Sequence, residues 1–362
     1  MKHILTVAVV ILVTLLSPTS GFTQGAQVLT LIPSTRAYGL GEGGVADASD
    51  PANVYFNPGV ISSCEGVFFM GGYGKLVPEL ASDIYTVNAG AGAAFEISSS
   101  ASDMKMRVGG EIRFGLLDYG HWNAIDQNNH LIGLASSSEK YLSLTLGGGV
   151  GFRNGTYFGA GISAKPWWID LAPGWVTEDD QPVKGSAIAF DLGLIAQADL
   201  PGVPSGARVT PSIGLSVLNV GPDIKFRDSD RAEPLPTSYR LGVGVRMESP
   251  SLKEFDDMVG TRIPIGTLGL NFEMIDDSWI HAKEANPLHN WRAGAEISAL
   301  QALFLRCGYV NDKYGDVKGA TFGAGLGLKL KMLWGRIDFA SVPQATTLGR
   351  VEKYGLSGGV TF

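Results

Sequence analysis

Apolar and polar residues alternate with period two over much of this chain. In 106–116, Met106, Val108, Ile112, Phe114 and Leu116 share one parity, and Arg107, Glu111 and Arg113 share the other with Gly109 and Gly115. In 141–152, Leu142, Leu144, Leu146, Val150 and Phe152 oppose Ser143, Thr145 and three glycines. In 321–331, Phe322, Ala324, Leu326, Leu328 and Leu330 oppose Thr321, three glycines, Lys329 and Lys331. In 333–340, Leu333, Ile337 and Phe339 oppose Arg336 and Asp338. Alternation over nine or more residues predicts strands, because a helix repeats near 3.6. About 14 such segments begin near 66, 84, 105, 140, 156, 186, 207, 237, 264, 291, 302, 319, 333 and 353. Each is close to the roughly nine to eleven residues that a tilted membrane-spanning strand needs. In the last segment Tyr354, Leu356, Val360 and Phe362 form one apolar face, a C-terminal signal expected to engage the barrel-assembly machinery.

The connections also alternate. Those at 98–104, 153–155, 199–206, 299–301 and 331–332 are short, while 118–139, 170–185, 219–236, 275–290 and 342–352 are mostly long. Outer-membrane barrels have short periplasmic turns and longer external loops. The connection 248–263 is long for a periplasmic turn, and its Leu252-Lys253-Glu254-Phe255 is expected to form a short helix. The fold class expected is all-β, a transmembrane antiparallel barrel of about 14 strands. A soluble all-β protein would alternate too.

Export separates those two readings. Met1-Lys2-His3, an apolar run Ile4–Leu16 and a small, polar stretch Ser17–Gly25 read as a cleaved signal peptide. No later apolar run is long enough for a membrane helix. Gly is 49 of 362 residues, about twice the usual share, and charge is only 17%. That suits strands in a tightly curved sheet. The net charge of −7 argues against a nucleic-acid partner. Outer-membrane lipid is the expected surroundings. Cys64 and Cys307 could pair in an oxidising compartment, or stand apart as small apolar side chains, the reading favoured by Cys307 on the lipid-facing parity.

Three units follow: 1–25 as signal peptide, 26–65 as an N-terminal plug and 66–362 as barrel. Residues 26–65 are Gly-rich, do not alternate, and are too long for an ordinary connection; some barrels carry a plug. Asn57-Pro58-Gly59 is expected to make a turn that fixes the plug, with Gly supplying a positive φ. No strand precedes the GxG patterns of 39–44, so a nucleotide loop is not indicated.

Lumen-facing parity collects Arg107, Glu111, Arg113, Arg240, Arg246, Arg292, Glu296, Arg306, Lys329, Lys331, Arg336 and Asp338. An Arg or Lys facing lipid at the midplane costs roughly 2–4 kcal/mol. These charges read as a salt-bridged interior holding the plug, or as a path for a charged solute. Trp122, Trp167, Trp168, Trp175, Trp279 and Trp291 fall at or beyond the external rim, as an interfacial girdle or an exposed apolar surface for a ligand. His281, Glu284 and His289 are the one grouping with metal-ligand character, and solvent-facing loop residues are the expected reading. No catalytic constellation, metal or cofactor is indicated, and an enzyme is not expected.

Two patches resemble a known family. Arg36-Ala37-Tyr38-Gly39-Leu40-Gly41, the Asp50-Pro51-Ala52 stretch and Phe56-Asn57-Pro58-Gly59 resemble the N-terminal pattern of the PorV/PorQ family, where the box more often reads Asn-Pro-Ala. Asn219-Val220-Gly221-Pro222-Asp223-Ile224-Lys225-Phe226, followed by Leu235-Pro236-Thr237-Ser238-Tyr239-Arg240-Leu241-Gly242-Val243, is similar to the family's "NxGPxIxF … LPT-x-x-RLGV" stretch. The resemblance implies a FadL-like barrel of fourteen strands. It also implies a non-enzymatic role in type IX secretion, with the type IX translocon and the C-terminal domains of secreted cargo as partners at the external loops. The alternative implied by the wider superfamily is an outer-membrane transporter of hydrophobic small molecules.

Overall fold

The computed structural model describes residues 26–97, 104–177, 180–203, 206–226, 232–276, 290–313, 315–345 and 348–362. Strands β1 (Gly66–Lys75), β2 (Tyr85–Glu96), β3 (Met104–Ile125), β4 (Leu131–Phe152), β5 (Thr156–Ala172), β6 (Val183–Ala198) and β7 (Arg208–Val220) form a meander. A short pair, β8 (Ile224–Phe226) and β9 (Ala232–Glu233), decorates the next external connection. The meander resumes with β10 (Ser238–Glu248), β11 (Gly266–Asp276), β12 (Asn290–Ala299), β13 (Leu303–Asp312), β14 (Val317–Leu330), β15 (Leu333–Val342) and β16 (Val351–Val360). All neighbours pair antiparallel, and β1 pairs with β16, Val67 opposite Val360 and Gly74 opposite Lys353. The result is a closed barrel of fourteen strands, since β8 and β9 lie outside the ring.

The outward parity carries Ile112, Phe114, Leu144, Leu146, Leu326 and Leu328, all exposed. So dense an apolar face would associate in water, and a bilayer covers it. The inward parity carries the polar groups, and the N-terminal segment lies among them.

That segment, residues 26–65, is a chain of short helices: 3-10 turns at Gln27–Thr30, Pro51–Tyr55 and Pro58–Ser63, and helix α1 (Thr35–Gly39). Local chemistry sets each start. Ser34 accepts from the Ala37 N–H, Asp50 from Ala52 and Asn57 from Gly59. These caps satisfy backbone donors that a short helix leaves free. Pro51 and Pro58 occupy the first helical positions, where a missing N–H costs nothing. Gly59 does not take a positive φ. It is needed for closeness: a Cβ there would lie 3.0 Å from the Gly193 carbonyl oxygen on β6.

Two strands run further than the alternation suggests. β3 and β4 have 22 residues each, so 119–137 form a hairpin past the end of β2, where Tyr85 pairs with Asp118, and not the long loop expected at 118–139. A register shift between Asp118 and His121 hides the periodicity there. At about 3.3 Å per residue the hairpin rises some 20 Å beyond β2. At the short-turn end, helix α2 (Lys253–Val259) forms in the 248–263 connection.

Candidate functional site

The lumen is the place where sequence and structure concentrate unusual chemistry. Its centre is an ion-pair network between plug and wall. Arg36 of the plug forks onto Glu296 of β12 through Nε at 2.9 Å and Nη2 at 2.8 Å, and its Nη1 reaches Asp47 at 2.5 Å. Arg306 of β13 donates to Glu296 at 2.6 Å and to Asp338 at 2.7 Å. Arg336 of β15 donates to Asp338 at 2.7 Å and to plug residue Asp50. Bidentate, charge-assisted bonds of this kind are the strong ones, and they are buried.

A second set holds the next plug segment. Glu273 of β11 accepts from the Gly44 N–H at 2.8 Å and the Val45 N–H at 3.1 Å, while Arg240 of β10 donates to its other oxygen at 2.9 Å. Arg292 lies 3.8 Å from Glu42 and 3.4 Å from Asp312. Arg113 pairs with Glu111 at 2.6 Å beneath the Ala52 carbonyl. The backbone touches the wall directly where the wall is glycine. A Cβ on Gly308 would lie 2.2 Å from the Gly41 N, and one on Gly294 would lie 2.3 Å from the Leu40 O. Lumen-facing glycines therefore serve the plug as well as strand curvature.

The external mouth is closed by apolar packing. Val28 and Leu29 of the plug pack with Leu117, Tyr141, Trp167, Ile169, Ile224 and Leu235. Trp167 is fully buried and does not belong to the rim aromatics. It shares inward parity with Lys165, and adjacent strand residues point to opposite sides, so only Trp168 faces outward. Glu139, buried, accepts from the Trp167 Nε1 and the Val28 N–H, each at 3.1 Å, and from the Tyr119 hydroxyl. Asn219 takes φ 59 and makes a second brace. Its amide donates to the Pro236 carbonyl at 3.0 Å and to that of Leu29 at 3.4 Å, and its N–H donates to Asp191 at 2.8 Å. Lys165 bonds both Asp191 and Asn219. Asn219 opens the second family-like patch, so that patch is the place where wall, external loop and plug are tied.

The remaining tryptophans divide. Trp291 stacks on Phe272 and Tyr309 on the outer wall at the rim. Trp122 and Trp175 lie above it: Trp122 donates to Ser137 at 3.1 Å, and Trp175 sits over Gly133 on the hairpin's inner side. Trp279 and the grouping of His281, Glu284 and His289 lie outside the described residues.

At the short-turn end, Arg107 pairs with Glu65 at 2.8 Å and Arg246 with Glu248 at 2.9 Å. Lys329 faces a cavity there. Lys331 does not belong to the lumen set: it sits in the two-residue β14–β15 turn at φ 51, exposed, with its N–H bonded to the last carbonyl of α2, Val259, at 2.7 Å. The alternation ends one residue before it. Tyr354 and Leu356 are exposed on the lipid side of β16, Val360 shares their parity, and Phe362 stacks on Phe95 of β2. Cys64 is buried at the plug's end and Cys307 exposed on the outer wall; both are free thiols.

The alternation carries the wall charges, and Glu273 too, since Leu268, Leu270, Phe272 and Met274 oppose Gly269, Asn271 and Glu273, but it does not carry Glu139; what either acid holds is visible only with the plug in place. Glu139 fell in an expected loop. Asp50, a family-patch residue that also caps a helix, was the one available signal for a plug carboxylate.

No protein-family model and no curated protein matches the chain. Among solved structures, the toluene transporter TbuX of Ralstonia pickettii is similar over 93% of this chain and 99% of that chain, at 13% identity and TM-score 0.52. The toluene transporter TodX of Pseudomonas putida covers 94% and 98% at 12% identity and TM-score 0.48. The β-domain of the Bordetella autotransporter BrkA covers 82% and 99% at 10% identity and TM-score 0.43. At such identities a likeness speaks for fold alone. With TbuX it defines the fold: a closed antiparallel barrel of outer-membrane type, here with a plugged lumen.

Proposed function

We propose that the protein is exported on a signal peptide, residues 1–25, and works in the outer membrane as a closed, non-enzymatic docking barrel. Its role is the one implied by its PorV/PorQ resemblance, a type IX secretion component that binds and shuttles secreted cargo at the cell surface. The carrying observation is the pairing of a filled lumen with a protruding hairpin. The described lumen holds plug, ion pairs and an apolar external seal, with no apolar tunnel. Beside it the β3–β4 hairpin exposes Ile125, Leu131, Ile132 and Leu134 beyond the membrane. A surface of this kind fits a protein partner, and the cargo C-terminal β-domain is the partner the resemblance implies.

The test is affinity capture of membrane-extracted protein through an epitope tag in an external loop, beside a variant carrying Leu131→Asp and Leu134→Asp. Secreted proteins sharing a C-terminal β-domain, or a very large translocon chain, are expected with the native protein and lost with the variant. Recovery of the barrel with only lipid or fatty acid would overturn the docking role.

A second reading, transport of hydrophobic small molecules, rests on one observation. The β6–β7 pairing is interrupted between Phe190 and Leu192, and beside it the outer wall carries an apolar cleft of about 650 Å³ lined by Ile162, Leu192, Leu194, Leu215 and Val217. TbuX, which shares the fold, is a toluene transporter. Saturable uptake of toluene into liposomes holding the purified barrel would favour this reading.

A further inference from the structure

The plug does not fill the lumen evenly. On the side of β7, β10, β11 and β12 it leaves a cavity of about 530 Å³. Gly155, Asp199 and Gln301 of the short connections, with Arg262 of the 248–263 connection, ring its mouth, so it opens at the short-turn, periplasmic end. Its volume lies within the range of ligand-holding clefts, roughly 300–1,000 Å³. Arg36, Asp47 and Glu296, the centre of the plug-to-wall network, form its inner end.

The chemistry of this vestibule is one-sided once its internal pairs are taken out. Asp47 and Glu296 are held by Arg36, Glu65 by Arg107, and Glu248 by Arg246. Asp199 accepts from Thr210 at 2.6 Å and lies 3.7 Å from Arg208. Every acid that lines the cavity is thus engaged. Several donors are not. Lys329 makes no hydrogen bond or ion pair among the described residues, and neither do the side-chain amides of Asn271 and Gln197. Arg246 uses only its Nε, leaving both terminal nitrogens for a ligand. The free cationic groups stand on β10 and β14, four strands apart in the ring. At about 4.8 Å per strand their backbones stand some 19 Å apart along the wall, a span that an extended ligand matches better than a small anion.

We propose that this vestibule is a binding site for an extended ligand with more than one carboxylate, entering from the periplasm, with Arg246 and Lys329 taking its two ends. An acidic peptide segment and a free dicarboxylate share that chemistry, and the spacing favours the peptide. The site stands apart from the external docking surface, so either can fail alone.

The experiment is calorimetric titration of the purified full barrel in detergent with triglutamate, glutarate and trilysine. Saturable one-to-one binding of triglutamate is expected, weakened by salt. It should loosen about tenfold in Arg246→Gln or in Lys329→Gln, as loss of a charge-assisted bond implies, and stay unchanged in Lys140→Gln on the outer wall. Retained heat-modifiable migration on gels shows that each variant is folded. Glutarate binding as tightly, with the same dependence on both residues, would assign the site to a free solute. No saturable binding of either acid, equal binding of trilysine, or triglutamate binding unchanged in both variants overturns the proposal.

Discussion

The two mouths of the lumen are sealed by different physics. The external mouth is dry: Trp167, Leu29, Leu117 and Ile224 pack together, and the polar groups among them, Glu139 and Asn219, have multiple partners. The short-turn mouth is open and charged, and on one side its cavity reaches the Arg36 network. A plug carried on this plan is closed at the long-loop mouth by apolar packing and tied to the wall by ion pairs that face the short-turn mouth.

The largest effect should come from the centre, where the two mouths meet. Arg36→Ala leaves Asp47 without its cation and Glu296 with Arg306 alone, and breaking such a pair by one partner costs about 3–5 kcal/mol. Denaturant unfolding followed by tryptophan fluorescence should show that loss, and planar-bilayer recordings should show new conductance. A variant as quiet and as stable as the native barrel would mean the network does not hold the plug.

Trp167→Ala attacks the dry mouth alone. Removing a fully buried tryptophan costs about 3–5 kcal/mol before relaxation and takes one of its donors from Glu139, while the Arg36 network stays in place. The loss should be local: hydrogen exchange speeds up at Val28 and Leu29 while Gly44 and Val45, held by Glu273, keep their protection. Equal loosening of both segments would argue that the plug is one cooperative unit. Asn219→Ala cuts the same seal more gently, by about 1–3 kcal/mol for the groups left unpaired, read as a lower unfolding midpoint.

Thiol labelling compares the mouths without changing stability much. In a background lacking Cys64 and Cys307, Ser212→Cys in the vestibule should react with a membrane-impermeant maleimide in detergent. Ala189→Cys in the external seal should not. The reverse pattern would exchange the wet and dry ends.

The smallest effect is at the hairpin tip. Hydrogen bonds from the His130 N–H, and then the Asn128 N–H, hold the Asp126 carboxyl below its ordinary value. A lowered folded value stabilises the tip above the ordinary carboxylate pKa of about 3.9 and loses that contribution as pH falls through the lowered one. The amide resonances of Asn128 and His130 should therefore stay constant near neutrality and shift together only in acid. Resonances that move together near neutrality would overturn the assignment to Asp126.

The barrel was legible where alternation is undisturbed. The β14 and β15 segments carry their register in plain view, and fourteen starts read from period two lie within a few residues of fourteen strands, except β4. There the bulge after Asp118 shifts the parity, and a strand reads as loop. Lys331 and Trp167 show the same limit at the single-residue scale. Each lies beside an alternating run, but a turn ends one run at Leu330 and strict alternation turns the other inward. Parity alone separates lumen from lipid, because a strand's side chains alternate whatever surrounds it. It cannot say what a lumen residue meets. The pairing of Arg36 with Glu296, 260 residues apart, of Asp50 with Arg336, and of Gly41 with the glycine floor at Gly308 arises only when the ring closes around the plug. Thus the sequence by itself determined strand number, face and the existence of an unalternating N-terminal segment, all local periodic properties. Which mouth is sealed, by what, and where room is left were decided by tertiary structure, since those depend on contacts between residues the chain keeps far apart.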